Sequence, residues 1–311
     1  MHKHLNAEQE MIRAQLTLRA IVWDIEKMEA PIWKRLEQEA ELYRIHMIRI
    51  QELAGETDRT KKYNRIMEYL KKSGIAESQA LLVTEDDQLP DAVCSCKTEP
   101  GMGVVYYEKA GSRQDVAADM IVLGFEETGP QFFDRILKRR NHLPWNILYT
   151  ERTCVREITM EDLDELYELY EGDGITDYTE PLFERQEEEA YTKSYIEYMY
   201  YYYGYGMWIV RDRKNGALIG RAGIEHREGE AEVFTELGYV IGRNYQNKGY
   251  ATEVCQAILD YAKEEAGMDQ IHCFIHPGNQ VSLHLAKKLG FEIVEDTQKI
   301  QTDLIHFRKR F

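Results

Sequence analysis

Along residues 233–241 apolar and polar positions alternate, with Val233, Leu237, Tyr239 and Ile241 on one side, a period of two that predicts a β-strand. After a polar turn, Val254, Cys255, Ile258, Leu259 and Ala262 recur at helical spacing, and residues 270–275 read as another strand. The front of the chain has a different rhythm. Met11, Ile12, Leu16, Ile21 and Val22, then Ile32, Leu36, Leu42, Ile45 and Ile48, predict helices over residues 6–74, with Gly55 and Gly74 as breaks. From Ser78 the pattern becomes short unbroken apolar runs at 80–84, 103–106 and 120–124, separated by helical stretches at 88–97 and 129–140. Such runs joined by crossovers predict parallel strands in a small α/β sheet. Beyond residue 150 come a strand at 154–158, a helix from Met160, a hairpin of 207–213 with 218–225 turned by Lys214-Asn-Gly216, and closing antiparallel strands at 291–295 and 302–308. The expected organisation is a helical segment over 1–77, a small parallel α/β part over 78–150, and a larger α+β domain over 151–311.

Composition adds little to the fold but narrows the partners. A chain of 311 residues has room for about two domains, each with a core of its own. The net charge of -16 argues against unaided binding to nucleic acid or an anionic membrane surface, and suits a cationic or amine-bearing partner better. No run approaches the ~18 apolar residues of a membrane span, and Met1-His-Lys-His leads into a charged segment with no apolar signal region. The five cysteines lack a paired framework and read as reduced thiols, so the expected compartment is the cytoplasm. Cys94-Ser-Cys96 has no companion Cys or His pair at zinc-site spacing, and no metal is expected.

The candidate chemistry lies where the alternating strand hands over to the helix, through Arg243-Asn-Tyr-Gln-Asn-Lys-Gly-Tyr-Ala-Thr252. A strand-turn-helix leaves unpaired N–H groups at the positive end of the helix, and Gly249 and Ala251 carry too little side chain to keep a phosphate away. Residues 246–252, namely Gln246, Asn247, Lys248, Gly249, Tyr250, Ala251 and Thr252, therefore form a candidate anion cradle. Further along come Asn279-Gln-Val-Ser282 and Ala286-Lys-Lys-Leu-Gly290-Phe291. The two motifs together resemble the acetyl-CoA-binding core of the GCN5-related N-acetyltransferases, most closely the branch that includes the ribosomal-protein acetyltransferases. The resemblance covers residues 152–311.

It implies a mixed, mostly antiparallel sheet flanked by helices, with two central strands splayed apart by a bulge near Tyr239, Val240 and Ile241. The pantetheine arm of acetyl-CoA would lie in that opening, its thioester oxygen on the N–H of Val240 or Ile241, and its diphosphate on residues 247–251. Asn279 would bond the arm while also capping its own helix. Ser282 matches a serine beside the sulfur in this branch. Where many relatives hold a tyrosine that protonates the leaving thiolate, this chain has Ala286. Glu236, on the strand face of Phe234 and Val240, is the candidate base for the amine proton. The expected function is transfer of acetyl to a primary amine, on a small molecule or a protein amino terminus, without a metal; the competing reading is a CoA-binding sensor that turns nothing over. A homodimer is compatible with either.

Two other stretches stand out. Tyr191, Tyr195, Tyr198 and Tyr202 fall at helical spacing and read as a packing stripe, while Tyr202, Tyr203 and Tyr205 are the candidates for touching an acceptor. In the front part, Ala20-Ile-Val-Trp-Asp24 and Ala-Ala-Asp119 are loosely similar to a haloacid-dehalogenase-like core, but the second Asp and the Gly-Thr that should follow Asp24 are missing, so residues 20–26 read as helix continuation. Thr84-Glu85-Asp86-Asp87 reads as an acidic loop capping the next helix, with a Mg²⁺ site as the alternative.

Overall fold

In the computed structural model the chain divides into two compact units, residues 1–143 and 144–311. The structure describes residues 7–50, 58–95, 100–109, 115–229, 233–294 and 303–311; Gly55, Cys96, Glu295 and Thr302, named above, lie outside them.

The first unit runs α1 (Ala7–Gln15), β1 (Ala20–Asp24), α2 (Ala30–Tyr43), β2 (His46–Arg49), α3 (Arg59–Lys72), β3 (Ala80–Thr84), α4 (Leu89–Ser95), β4 (Gly103–Tyr107), β5 (Met120–Val122) and α5 (Pro130–Arg140). Its five strands form one parallel sheet in the order β2-β1-β3-β4-β5. Both faces of the sheet are covered. Ile21, Trp23, Leu81 and Val83 enter one buried cluster with Phe133 and Leu137, while Ala20, Val22, Ala80 and Leu82 enter another with Ile66 and Leu70. Burial on both faces is why these strands show unbroken apolar runs.

The same fact corrects the helical reading of residues 6–74, which holds for α1, α2 and α3 but not for β1 and β2. A five-residue apolar run has no period to separate strand from helix. The end of α2 carries no sequence signal either: its last turn is closed by Arg44 in the left-handed region at φ 59°, where glycine is usual, and Ile45 and Ile48 then mimic helical spacing while belonging to the approach and body of β2.

The second unit runs β6 (Asn146–Tyr149), β7 (Thr153–Arg156), α6 (Leu163–Tyr170), α7 (Arg185–Ser194), β8 (Met207–Asp212), β9 (Leu218–Glu228), β10 (Val233–Ile241), α9 (Tyr250–Glu264), β11 (Gln270–Ile275), α10 (Gln280–Lys288), β12 (Glu292–Ile293) and β13 (Ile305–Arg310), with the short helix α8 (Tyr200–Tyr203) before β8. Its sheet has the order β12-β13-β11-β10-β9-β8-β7-β6 and is antiparallel except where β10 meets β11. Because β6 pairs with β7, this unit begins before residue 150, the boundary expected from sequence. The face of α9 that carries Val254, Cys255, Ile258, Leu259 and Ala262 is buried, in one core with Trp208, Ile219 and Ile271.

The tyrosine stripe is arranged differently from the expected one. Between α7 and α8, residues Tyr195–Met199 form a π-turn, which shifts the inward face by one residue. Tyr195 and Tyr200 are the buried pair, edge to face with centroids 5.4 Å apart, whereas Tyr198 and Tyr202 are exposed. Both buried phenols satisfy backbone at the start of β8: the Met207 N–H donates to the Tyr195 hydroxyl at 2.7 Å, and the Tyr200 hydroxyl donates to the Met207 carbonyl at 2.6 Å.

One buried carboxylate ties the sheet to α6. Asp162, 1% exposed, takes Arg156 at 2.7 Å, Arg211 at 2.5 Å and the Thr159 N–H at 2.7 Å. Burial alone pushes this carboxyl up, but the two guanidinium groups win and hold it below its ordinary value. Its contribution to stability is therefore present above the unfolded-state pKa and lost as pH falls through the lower folded one. Asp162→Ala leaves Arg156 without its carboxylate and Arg211 with Glu165 alone, and is expected to cost about 3 kcal/mol in denaturant unfolding; a change under about 0.5 kcal/mol would contradict this role.

Candidate active site

The site starts from a fault in the sheet. β10 and β11 run parallel but share only one register pair, Glu236 with His272. Past it, β10 continues to Ile241 while paired on its other side with β9, Leu237 opposite Ile224 through Ile241 opposite Gly220. The two strands therefore part like the arms of a V. The bulge expected in β10 is absent: its register with β9 is unshifted from Val233 to Ile241.

Below the open end of the V lies the turn into α9. Asn247 (φ 58°) and Gly249 (φ 83°) are both left-handed, and Gly249 is the N-cap. A residue with a Cβ is strained there, which explains the glycine in terms of backbone. The first-turn amides after it have no acceptor within the helix and face an anion-sized opening at the positive end of the helix dipole. Arg152, which sequence reading missed, braces this turn. Its Nε donates to Glu253 at 2.7 Å, its Nη1 to the Lys248 carbonyl at 2.9 Å, and its guanidinium lies 4.1 Å from the Tyr250 ring centroid. Two expected phosphate contacts are instead used inside the turn: Lys248 Nζ donates to the Asn244 carbonyl at 2.7 Å, and Gln246 Nε2 to the Ile241 carbonyl at 3.0 Å.

A cavity of about 450 Å³ runs from this turn into the V. Tyr239, Val240, Ile241, Gln246, Asn247, Gly249, Tyr250, Ala251, Thr252, Asn279 and Ser282 all line it; of the predicted cofactor residues only Lys248 does not. At its upper end Asn279 caps α10, its Oδ1 accepting from the Ser282 N–H at 3.1 Å, and the Tyr239 hydroxyl donates to Ser282 Oγ at 2.8 Å. Burial pushes the Tyr239 phenol up, so it stays protonated through the neutral range. The buried Ala286 stands one turn along α10, leaving the space beside Ser282 to the ring from β10.

A second cavity, of about 620 Å³, shares Tyr239, Val240, Asn279 and Ser282 with the first and holds Glu236. Glu236 is 19% exposed and accepts from Arg227 Nη1 at 3.1 Å. Burial raises its pKa; Arg227 and the Phe274 amide pull the other way without cancelling the rise. The wall opposite carries Tyr170, Tyr178, Phe183 and Tyr191. Tyr202, Tyr203 and Tyr205 do not line either cavity: Tyr203 and Tyr205 gather around His226, with centroids 4.1 and 5.6 Å from its ring. Residues unanticipated from sequence are Arg221, Glu225 and Arg227, which alternate along β9 on the face of Glu236. Their two-residue spacing was visible, but nothing local showed that this polar face looks into a cavity.

In the first unit, Asp24 ends β1 and is buried, with Lys62 Nζ 3.1 Å from one carboxylate oxygen and the Thr84 hydroxyl donating to the other at 2.9 Å. Asp86 accepts from Arg59 at 2.9 Å and from the Gln88 N–H at 3.1 Å, the capping role expected of that loop.

Residues 152–292 match the family described as Acetyltransferase (GNAT) domain. The chain is 33% identical over 97 residues to the uncharacterized protein YkkB of Bacillus subtilis (strain 168), a match covering 31% of this chain and 56% of that protein. It is 31% identical over 146 residues to the uncharacterized N-acetyltransferase YnaD of the same organism, covering 45% and 79%. Among solved structures, an acetyltransferase from Agrobacterium tumefaciens str. C58 is similar at TM-score 0.46 and 20% identity, over 53% of this chain and 94% of that one.

The electrostatics at Glu236 generate a test that needs no substrate. Removing the guanidinium in Arg227→Met leaves burial as the dominant influence, so the Glu236 carboxyl, already above the ~4.3 of a free glutamate, is expected to titrate at still higher pH by NMR. An unchanged or lower value would contradict the ion pair.

Proposed function

We propose that this chain, which belongs to the GNAT acetyltransferase family, transfers the acetyl group of acetyl-CoA directly to a primary amine bound beside it. The observation that carries the reading is the V between β10 and β11, whose single register pair leaves a cavity leading straight from the α9 amides to Glu236 and Ser282. The coenzyme fits these residues. Its diphosphate needs amide donors at a helix start with no Cβ in the way, which the left-handed Gly249 and the small Ala251 supply. Its pantetheine needs an unpaired strand edge, which β10 presents beyond Glu236.

The chemistry then requires few groups. The amine nitrogen forms a bond to the thioester carbon as the carbon–sulfur bond breaks, one proton leaves the nitrogen and one arrives at the sulfur. Glu236, raised in pKa and within the acceptor cavity, takes the nitrogen's proton directly or through water. Ser282 stands beside the sulfur position, and the hydroxyl of Tyr239 behind it keeps a proton available, so the pair substitutes for the tyrosine that Ala286 replaces. The oxygen of the thioester is polarised by a β10 amide near Val240 or Ile241.

Three variants test this. Gly249→Glu, which puts a strained Cβ and a negative charge at the left-handed cap, is expected to weaken CoA binding at least tenfold in calorimetry, with the protein still folded and its thermal midpoint lowered by that strain. In Glu236→Gln, kcat/KM for thiol release is expected to fall about a hundredfold and to lose its acid limb; in wild type that limb lies above the ordinary glutamate value, because the base works only when deprotonated and its pKa is raised. Tyr239→Phe is expected to lower kcat about tenfold with KM for acetyl-CoA unchanged. Unchanged turnover in Glu236→Gln removes that residue from the reaction.

A further inference from the structure

The acceptor cavity contains an arginine that makes no salt bridge among the described residues. Arg221 lies on β9 opposite Val240, a residue that lines both cavities, and it reaches into the acceptor space half-buried. Four other arginines of this unit are ion-paired: Arg152 with Glu253 at 2.6 Å, Arg156 and Arg211 with Asp162 at 2.5 Å, and Arg227 with Glu236 at 3.1 Å. Arg221 has no such ion pair among the described residues. Its near polar neighbour is the Tyr170 phenol. Two carboxylates that line the same cavity hydrogen-bond to other donors: Glu225 accepts from the Tyr195 hydroxyl at 3.2 Å, and buried Glu188 accepts from the Phe183 N–H at 3.1 Å and the Thr192 hydroxyl at 3.3 Å. Glu225 favours the charge from beyond salt-bridge distance, which leaves the guanidinium fork without a carboxylate in contact, and bidentate donors of this kind suit a planar oxyanion.

We infer that Arg221 binds an anionic group carried by the acceptor itself, so that the acceptor is an amino-acid-like molecule with its amine toward Glu236 and its carboxylate toward Arg221. The geometry supports that span. Glu236 stands opposite Glu225, four residues along β9 from Arg221, which at ~3.4 Å per residue separates the two levels by ~14 Å. Two long side chains converging from those levels leave room for a molecule whose nitrogen and carboxylate are two or three bonds apart. An acceptor that is purely cationic would place a second positive charge against Arg221 and is disfavoured. Tyr170 and Tyr191 flank the same space with rigid, amphipathic rings suited to a small zwitterion.

The inference rests on the acetyl-transfer reading, and the experiment separates their failures. Thiol release from acetyl-CoA is measured with free amino acids, their carboxamides and their decarboxylated amines, matched by side chain, for wild type, Arg221→Met and Arg221→Lys. The expected result is a preference of at least tenfold in kcat/KM for the carboxylate over the matched carboxamide, held mainly in KM. That preference falls to about one in Arg221→Met and is partly kept in Arg221→Lys. Equal rates for carboxylate and carboxamide in wild type, or an unaltered preference in Arg221→Met, overturns the inference. If no amine releases thiol, the transfer reading fails, and titration of CoA-saturated protein with the same amino acids decides the inference alone. Carboxylate-dependent binding lost in Arg221→Met upholds it, and the absence of such binding overturns it.

Discussion

The parting of β10 from β11 is the constraint on which the site depends. In a sheet, each strand edge ordinarily finds a partner, and an unpaired edge in the middle of a domain leaves backbone groups that need answering. Here the pairing stops after Glu236 and His272, although both strands continue. The gap is held open from both sides. β10 is fixed to β9 along its whole length, and β11 is fixed to β13 from Gln270 to Ile275, so neither can relax toward the other. A buried aromatic cluster, in which Phe234 meets His272, Phe274 and His306 and the His272 Nδ1 and His306 Nε2 atoms lie 2.7 Å apart, closes the base of the V. What the backbone lacks there, an extended polar ligand can supply.

Everything chemical is then arranged by distance from that base. Glu236 sits at the vertex, half in an apolar setting and checked by Arg227, which gives a carboxylate suited to receiving a proton. Asn279, Ser282 and Tyr239 sit midway, linked to one another by hydrogen bonds. The α9 amides and the left-handed Gly249 lie at the open end, braced by Arg152 from the turn between β6 and β7. In the proposed reading, a single elongated ligand laid along the V would meet an anion site, a backbone edge and a proton-handling group in that sequence.

How much of this was legible in the sequence depended on range. The cradle was, because a strand, a glycine turn and an amphipathic helix are local signals, and so was the cap at Asn279. Glu236 was legible as a position on a strand face, but its partner Arg227 and the unpaired Arg221 were not, since their meaning comes from register with a neighbouring strand. The tyrosine-rich segment misled: a regular helix puts Tyr191, Tyr195, Tyr198 and Tyr202 together, and only the π-turn at Tyr195–Met199 makes Tyr195 and Tyr200 the inward pair. In the first unit, β1 and β2 were taken for helix because a run buried on both faces has no alternation and because Arg44, not glycine, ends α2. That correction places Asp24 at a strand end beside Lys62 and Thr84, an arrangement its sequence neighbourhood did not suggest.

The most direct measurement of the central claim is a crystal structure of the protein with acetyl-CoA bound. The account predicts the diphosphate on the amides following Gly249 and the pantetheine running between β10 and β11, with the sulfur beside Ser282. A coenzyme seated elsewhere, or a V closed by pairing of the two strands past Glu236, would contradict it.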